Sequence, residues 1–188
     1  MKIKSLIISL LTISLLTAAD AKADQTKLQF RHIDVEKGLS SNTVNNIIQD
    51  KKGFIWIGTD EGLDRIDGTT IKAFKIEPDI TKFSMSSAVM LYLQDSNGNI
   101  WTSSLFDMFI FNPNMGIFTK FEVKTDQGEQ LTPDITSVTE DHSKMIWFTT
   151  RAHGIFSYDL HNGRLKRYAL PKNIAAYSSL VDENNHLW

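Results

Sequence analysis

The sequence contains no cysteine, and this absence excludes several classes of protein. Without thiols the chain can form neither disulfides nor thiolate metal sites, so packing alone must hold its fold together. The sequence also lacks the Gly-x-Ser-x-Gly pattern that carries a serine nucleophile. No basic stripe interleaved with aromatic residues occurs, so the electrostatic footprint of a nucleic-acid-binding protein is missing.

A long apolar run occurs only near the N-terminus, where it has the layout of a secretory signal peptide. Lys2 and Lys4 precede the run from Leu6 to Leu16, and Ala21-Lys22-Ala23 fits a small-x-small cleavage site. The run is shorter than the about 20 residues needed to cross a bilayer. We therefore expect residues 1–23 to be cleaved and the rest to reach the periplasm, with contact to the membrane only through the signal peptide; an uncleaved anchor is the alternative. Cleavage removes three lysines and one aspartate, so the formal net charge changes from −2 to −4.

One short phrase, an aspartate followed six residues later by a tryptophan, recurs four times and uses every tryptophan of the chain. The four pairs are Asp50/Trp56, Asp95/Trp101, Asp141/Trp147 and Asp182/Trp188. Successive tryptophans are 45, 46 and 41 residues apart, which matches the repeat length of about 40–50 residues found in four-stranded propeller blades. The fourth repeat is cut short at the last residue, which indicates a piece of a longer protein.

The first repeat predicts an antiparallel meander. Short β-branched segments alternate with turns at Asp50–Gly53, Asp60–Gly62 and Asp67–Gly68. The sequence thus predicts an all-β fold, a partial β-propeller of four-stranded antiparallel blades, about three and a third in number, preceded by a signal peptide. We place the propeller in residues 24–188 and its parts as follows: an N-terminal strand at 28–34, blades at 43–77, 88–124 and 135–170, and an incomplete blade at 174–188.

Two turn positions depart from the repeat. The glycine at Gly53 and Gly98 is replaced by Lys144 and by Asn185, and lysine tolerates a positive φ less well than asparagine does. The third hairpin is therefore expected to be looser. At the second turn Asp107 stands where the first and third repeats have Gly62 and Gly154, and aspartate accepts the left-handed region more readily than most residues do.

These phrases resemble the two-component regulator propeller repeat. The resemblance is carried by Gly38-Leu39-Ser40-Ser41-Asn42-Thr43-Val44, by Asp50 to Thr59, and by Gly62 to Gly68, while the later repeats match best from Asp to Trp. It implies the exported sensor region of a hybrid two-component system sensor histidine kinase. Such proteins usually carry two seven-bladed propellers, a β-sandwich, one membrane span and cytoplasmic kinase, receiver and DNA-binding domains, and many sense oligosaccharides as homodimers.

The resemblance therefore implies a periplasmic sensor fragment that recognises oligosaccharide within the complete parent and signals to a histidine kinase absent from this chain. We expect no enzyme activity, no cofactor and no metal in the chain itself. Two alternatives stay open: a fragment of an exported propeller enzyme of sialidase-like or quinoprotein-like type, and a short repeat protein that closes by self-association.

The recurring aspartates and tryptophans are expected to have structural roles, because a residue repeated in every blade serves the repeat geometry. The run Asp95 to Asn99 only superficially resembles a calcium loop, since Ile100 stands where that loop needs glycine. Variable loops are better candidates for ligand contact. We select Phe106, Asp107, Arg151 and His153, since the third repeat has one extra residue between Trp147 and the following glycine.

Overall fold

The computed structural model describes residues 29–76, 87–104, 107–131, 134–171 and 174–188. The predicted signal peptide at 1–23 lies outside these ranges. The chain divides into two compact units, Met1–His32 and Ile33–Trp188. The second unit contains all of the β-structure described below.

Within these described ranges, twelve strands form three separate four-stranded sheets. In the first sheet these are β1 (Val44–Gln49), β2 (Ile55–Thr59), β3 (Gly62–Asp67) and β4 (Thr70–Phe74). The second sheet has β5 (Met90–Gln94), β6 (Ile100–Ser104), β7 (Asp107–Asn112) and β8 (Ile117–Lys120). The third has β9 (Ile135–Glu140), β10 (Met145–Thr150), β11 (Ile155–Asp159) and β12 (Leu165–Tyr168). The all-β prediction is confirmed, and each sheet lies within one of the predicted blade ranges.

Each sheet is a simple antiparallel meander in which every strand pairs with its sequence neighbour. The strands align in the same register: Trp56 is opposite Arg65, Trp101 is opposite Ile110, and Trp147 is opposite Ser157. Because side chains alternate between the two faces of a sheet, each blade presents its tryptophan to one neighbour and the adjacent residues to the other. The first strands of neighbouring blades lie side by side, β1 beside β5 and β5 beside β9.

The space between the first and second blades is filled by aromatic and aliphatic side chains. Trp56 is fully buried and lies 5.4 Å from Phe111 between ring centroids, with Phe74 5.0 Å from the same phenyl ring. Phe109, Phe118 and further apolar residues of both blades complete this cluster. Edge-to-face ring contacts of this kind add about 0.5–1.5 kcal/mol each to the hydrophobic gain.

The second and third blades repeat this arrangement with different residues. Trp101 is fully buried and contacts Phe148, Tyr158 and Phe121 at centroid distances of 5.3, 5.8 and 5.2 Å. The tryptophan of one blade is thus covered by the next blade, as the repeat pattern predicts.

The fourth repeat takes up the same place beside the third blade. Ala176 accepts a hydrogen bond from the Thr136 hydroxyl through its carbonyl oxygen at 2.8 Å, and the backbone N–H of His142 donates to Asn185 Oδ1 at 2.8 Å. The second contact has a counterpart earlier in the chain, where Lys51 N donates to Gln94 Oε1 at 2.9 Å. Among the described residues, Trp188 has no following blade against it and is 74% exposed.

The segment before the first blade differs from the sequence prediction. Residues 29–34, the described part of the strand predicted at 28–34, form no strand; a single 3-10 turn follows at Val35–Lys37. A strand requires a ladder of hydrogen bonds along a neighbour, and the described residues form no ladder with this segment. Further on, Ser40 is bonded to the buried Asp64, through its N–H at 2.8 Å and its hydroxyl at 2.7 Å.

The third hairpin corrects a further expectation. Lys144 has a φ of 65°, yet its hairpin is closed by the same two backbone bonds as the glycine-containing hairpins, at 3.1 and 2.9 Å, so it is not looser. Asp107 begins β7 opposite Ser104, the place that Gly62 has opposite Thr59 in the first blade. The left-handed region costs a residue with a Cβ about 1–2 kcal/mol, and Lys144 occupies it.

Replacing Lys144 by glycine should therefore stabilise the chain. Glycine removes the left-handed penalty but loses more freedom on folding, so we expect a net gain of about 0.5–1 kcal/mol in the free energy of unfolding. Gly98→Lys is the matched reverse change, because Gly98 has a φ of 87° and a Cβ built there meets nothing within 4 Å. It should lower the same quantity by a similar amount. Urea denaturation of both variants measures this, and a loss of stability in Lys144→Gly would contradict it.

Candidate functional site

The four repeated aspartates hold their own turns and the tryptophan that follows. In the first repeat, Asp50 Oδ1 accepts the N–H groups of Lys52 and Phe54, each at 2.9 Å, and its Oδ2 accepts Trp56 Nε1 at 2.8 Å. Indole bonds of 2.9 Å join Trp101 to Asp95, Trp147 to Asp141 and Trp188 to Asp182. The backbone bonds are those expected of turn aspartates; the indole bond is an addition that sequence reasoning missed.

The bonds of Asp95 also bear on the calcium-like run that begins there. Its Oδ1 accepts Asn99 N and its Oδ2 accepts Trp101 Nε1, both at 2.9 Å. Both carboxylate oxygens are therefore directed at N–H donors within the hairpin. Across the described ranges, no three His, Cys, Asp or Glu side chains converge in a way that could hold a metal ion.

The selected residues Arg151 and His153 lie in the turn between β10 and β11, and Asp134 supports this turn. The Asp134 carboxylate accepts the backbone N–H of Ala152 at 2.9 Å and lies 3.0 Å from His153 Nδ1, while its carbonyl oxygen accepts Arg151 N at 3.0 Å. Asp134 comes from the connection that precedes β9. One carboxylate thus fixes the turn from the neighbouring connection at the same end of the blade. The side chain of His153 remains half exposed, at 51%.

A second anchor reaches the same turn from the outer strand. Arg167 on β12 donates through Nε to the His153 carbonyl at 2.7 Å, and its Nη1 lies 2.5 Å from Glu129 Oε1. The guanidinium centre of Arg151 lies 6.0 Å from the ring centroid of Tyr177, whose side chain is 67% exposed. The turn therefore presents a guanidinium, an imidazole and an aromatic ring on a backbone that is held in place.

The other two selected residues, Phe106 and Asp107, belong to the second repeat of the sequence. Phe106 lies outside the described residues. Asp107 pairs with Lys120 at 3.0 Å, and this hydrogen bond raises the pKa of the Lys120 amine. The partner of Asp107 is in its own blade rather than in the Arg151 turn.

The turns of each blade lie at two opposite ends of its sheet. In a meander, the turns after the first and third strands lie at one end, where the aspartate hairpins are, and the turn after the second strand lies at the other. Arg151 and His153 belong to this other end, together with the connections between blades. His142, His161 and His186 are at the aspartate end, where His186 Nδ1 lies 3.2 Å from Asp182 Oδ2.

Comparison with known proteins identifies the repeat. The profile of the family described as "Two component regulator propeller" matches residues 38–61. That range contains the opening phrase, β1, the Asp50 hairpin and β2.

Individual relatives agree with this match. Over 62 residues the chain is 37% identical to Histidine kinase P4 of Formosa agariphila, which covers 33% of this chain and 4% of that protein. The extracellular domain of a putative hybrid two component system from B. thetaiotaomicron superimposes with a TM-score of 0.67 at 27% identity, covering 84% of this chain and 23% of the other. Virginiamycin B lyase from Staphylococcus aureus shares the fold at a TM-score of 0.59 and 17% identity, over 77% of this chain and 47% of the lyase.

The chain is thus a β-propeller protein that spans less than a quarter of the first two of these relatives. It carries the two-component regulator propeller repeat, and the recognition made from the sequence is confirmed. The match to the described repeat itself is confined to residues 38–61. No helix within the described ranges is long and apolar enough to cross a membrane.

The buried repeat aspartates should matter more to stability than Asp182, which is partly exposed and bonds to the exposed Trp188. Asp95→Asn puts an amide donor against Asn99 N or against Trp101 Nε1, because an amide has only one acceptor oxygen. We expect a loss of about 2–3 kcal/mol in the free energy of unfolding, the cost of leaving a buried donor unpaired. Asp182→Asn is the matched control, and its effect should be clearly smaller because water can replace the lost bond. Urea denaturation of both variants measures this difference. Equal losses in the free energy of unfolding would contradict the role given to the buried bonds of Asp95.

The Asp182 carboxyl provides a pH test of the indole bond. The Trp188 indole, followed by the backbone N–H of His186, lowers the pKa of Asp182. Since the folded pKa lies below the unfolded value of about 3.9, the bond is fully present above that value and is lost as the pH falls through the folded pKa. Carbon-13 NMR titration of the carboxyl measures this. Trp188→Phe should raise the pKa towards its ordinary value, and an unchanged titration would show that the indole does not bind the carboxylate.

Proposed function

We propose that this chain is part of the exported, ligand-sensing region of a hybrid two-component regulator, and that it recognises oligosaccharide for a histidine kinase carried elsewhere in the parent protein. The observation that supports this most directly is the likeness to the extracellular domain of a putative hybrid two component system, at a TM-score of 0.67 over 84% of the chain. The profile match at residues 38–61 agrees with it.

The turn between β10 and β11 is the recognition element in this proposal. A sugar ring presents hydroxyl groups at its rim and C–H groups on its faces. Arg151 supplies N–H donors for hydroxyls, and the exposed ring of Tyr177 supplies an apolar face beside them. The bonds from Asp134 and Arg167 fix the turn before ligand arrives, so little conformational freedom is lost on binding.

Substitution of this turn tests the proposal. Binding of cellohexaose, xylohexaose and mannohexaose to the chain is measured by saturation-transfer NMR, which works for weak ligands and for self-associating proteins. Arg151→Ala and His153→Ala should each weaken the binding of whichever oligosaccharide is bound by about tenfold, the effect of one charge-assisted hydrogen bond.

Matched controls lie at the opposite end of the same blade. Arg164→Ala and His161→Ala remove the same side-chain types from the turn after β11, where Arg164 pairs with Asp126 at 2.8 Å, and should leave affinity unchanged. Recovery of the oligosaccharide intact distinguishes recognition from turnover. Equal affinity in all four variants would exclude this turn as the binding element, and absence of binding to every oligosaccharide would count against the function itself.

A further inference from the structure

A pocket of about 200 Å³ lies between the first two blades at their aspartate end. It is separate from the Arg151 turn, which belongs to the opposite end of the third blade. The side chains that matter for its chemistry are two cations, one aromatic ring and three amides: Lys52, Arg65, Phe54, Gln94, Asn97 and Asn114. Their polar groups are mainly hydrogen-bond donors that an anion could use.

Arg65 lies against two aromatic rings in this pocket but is incompletely paired. Its guanidinium centre lies 4.5 Å from the centroid of the Phe54 ring and 5.7 Å from that of Trp56. Its buried Nε has no hydrogen-bond partner among the described residues. Its Nη2 is 3.9 Å from Asp67 Oδ2, beyond hydrogen-bonding distance. A buried donor left unpaired in this way requires an explanation, and a bound ligand is one.

The blade itself does not require an arginine at this position. The residue opposite the repeat tryptophan is Arg65 in the first blade, Ile110 in the second and Ser157 in the third. The meander forms with the same register in all three cases. Arg65 therefore adds a charge that packing between the blades does not need.

The geometry points to a binding site for a small carboxylate, of which a uronic acid is an example, with Arg65 as the group that binds the carboxylate. A planar guanidinium pairs with a carboxylate through two parallel hydrogen bonds, and that of Arg65 lies over the Phe54 ring. Lys52 adds a second positive charge; its Nζ lies 3.1 Å from Asn114 Oδ1. The amides of the second blade are suited to hydroxyl groups on the rest of the ligand.

Asp50 also lines the pocket, and its negative charge has to be considered. Its two oxygens already accept three N–H groups, from Lys52, Phe54 and Trp56. Hydrogen bonding to the charged form disperses that charge, so Asp50 opposes an incoming anion less than a free carboxylate would.

This site does not depend on the proposed oligosaccharide function. All four strands of each of the two blades that form it are described, and its walls are the Asp50 hairpin, the Asp95 hairpin and the turn after β7. The experiment therefore uses the chain itself, with D-galacturonate as the probe and D-galactose as its uncharged counterpart.

The first measurement needs no substitution. In nitrogen-15 labelled protein the Nε–H resonance of Arg65, assigned by its loss in Arg65→Lys, should shift on titration with galacturonate and stay unchanged with galactose. A resonance that responds to neither sugar would overturn the proposal and leave water as the partner of Nε. An equal response to sulfate and galacturonate would also overturn it, because the site would then accept any anion.

The second measurement compares variants by saturation-transfer NMR. Arg65→Met keeps an apolar side chain on Phe54 and should weaken galacturonate binding by about tenfold or more. Arg65→Lys keeps the positive charge but not the paired donors of the guanidinium. Its affinity for galacturonate should therefore lie between that of Arg65→Met and that of the native chain. Arg164→Met is the control at the same end of another blade and should bind as the native chain does. Near-UV circular dichroism checks the fold, and undiminished binding in a folded Arg65→Met would exclude Arg65.

Discussion

The bond from each repeat aspartate to the indole six residues later fixes most of this structure. One carboxylate closes the hairpin through two backbone N–H groups and holds the tryptophan ring through its Nε1. The ring then lies between two blades, where complete burial of an aromatic side chain stabilises by about 2–3 kcal/mol. A single side chain thus connects a local turn to the contact between repeats. Because both ends of this connection recur, the blades stack in one orientation although their other residues differ widely.

Residue types close to the repeat tryptophan differ between the blades. Asp64, Phe109 and Phe156 occupy equivalent places, each opposite the residue after the tryptophan. In the second and third blades the phenyl ring is buried against the preceding blade. The first blade has a buried carboxylate instead, bonded to both the N–H and the hydroxyl of Ser40. In the first blade, the face that carries Asp64 is therefore contacted by Ser40 of the opening phrase rather than by a preceding blade. A buried carboxylate is compatible with the fold there because it is hydrogen-bonded.

Features that repeat could be predicted from the sequence, and features formed across long sequence separations could not. Spacing of Asp and Trp indicated the blades, their strands and their stacking, since these depend on local alternation and on a recurring ring. The strand predicted at 28–34 was wrong over its described residues, because strand propensity does not supply a pairing partner. Nothing in the sequence indicated that Asp134 would hold the turn at His153, or that Arg167 would reach both His153 and Glu129; these contacts join residues 14 to 38 positions apart. Lys144 shows a third case, where hairpin bonds outweigh an unfavourable φ.

The same constraint separates two kinds of recognition surface. At the aspartate end the hairpin after the first strand is closed by the same backbone bonds in each blade, while the side chain opposite the tryptophan changes, as at Arg65, Ile110 and Ser157. At the opposite end the turns differ in length and are held by contacts particular to one blade, such as that of Asp134 with His153. Loops of variable length suit extended ligands of varied shape, whereas a rigid pocket suits one small charged group whose position must not vary. A propeller built on this repeat can therefore alter its loops for one ligand without disturbing a pocket at its other end.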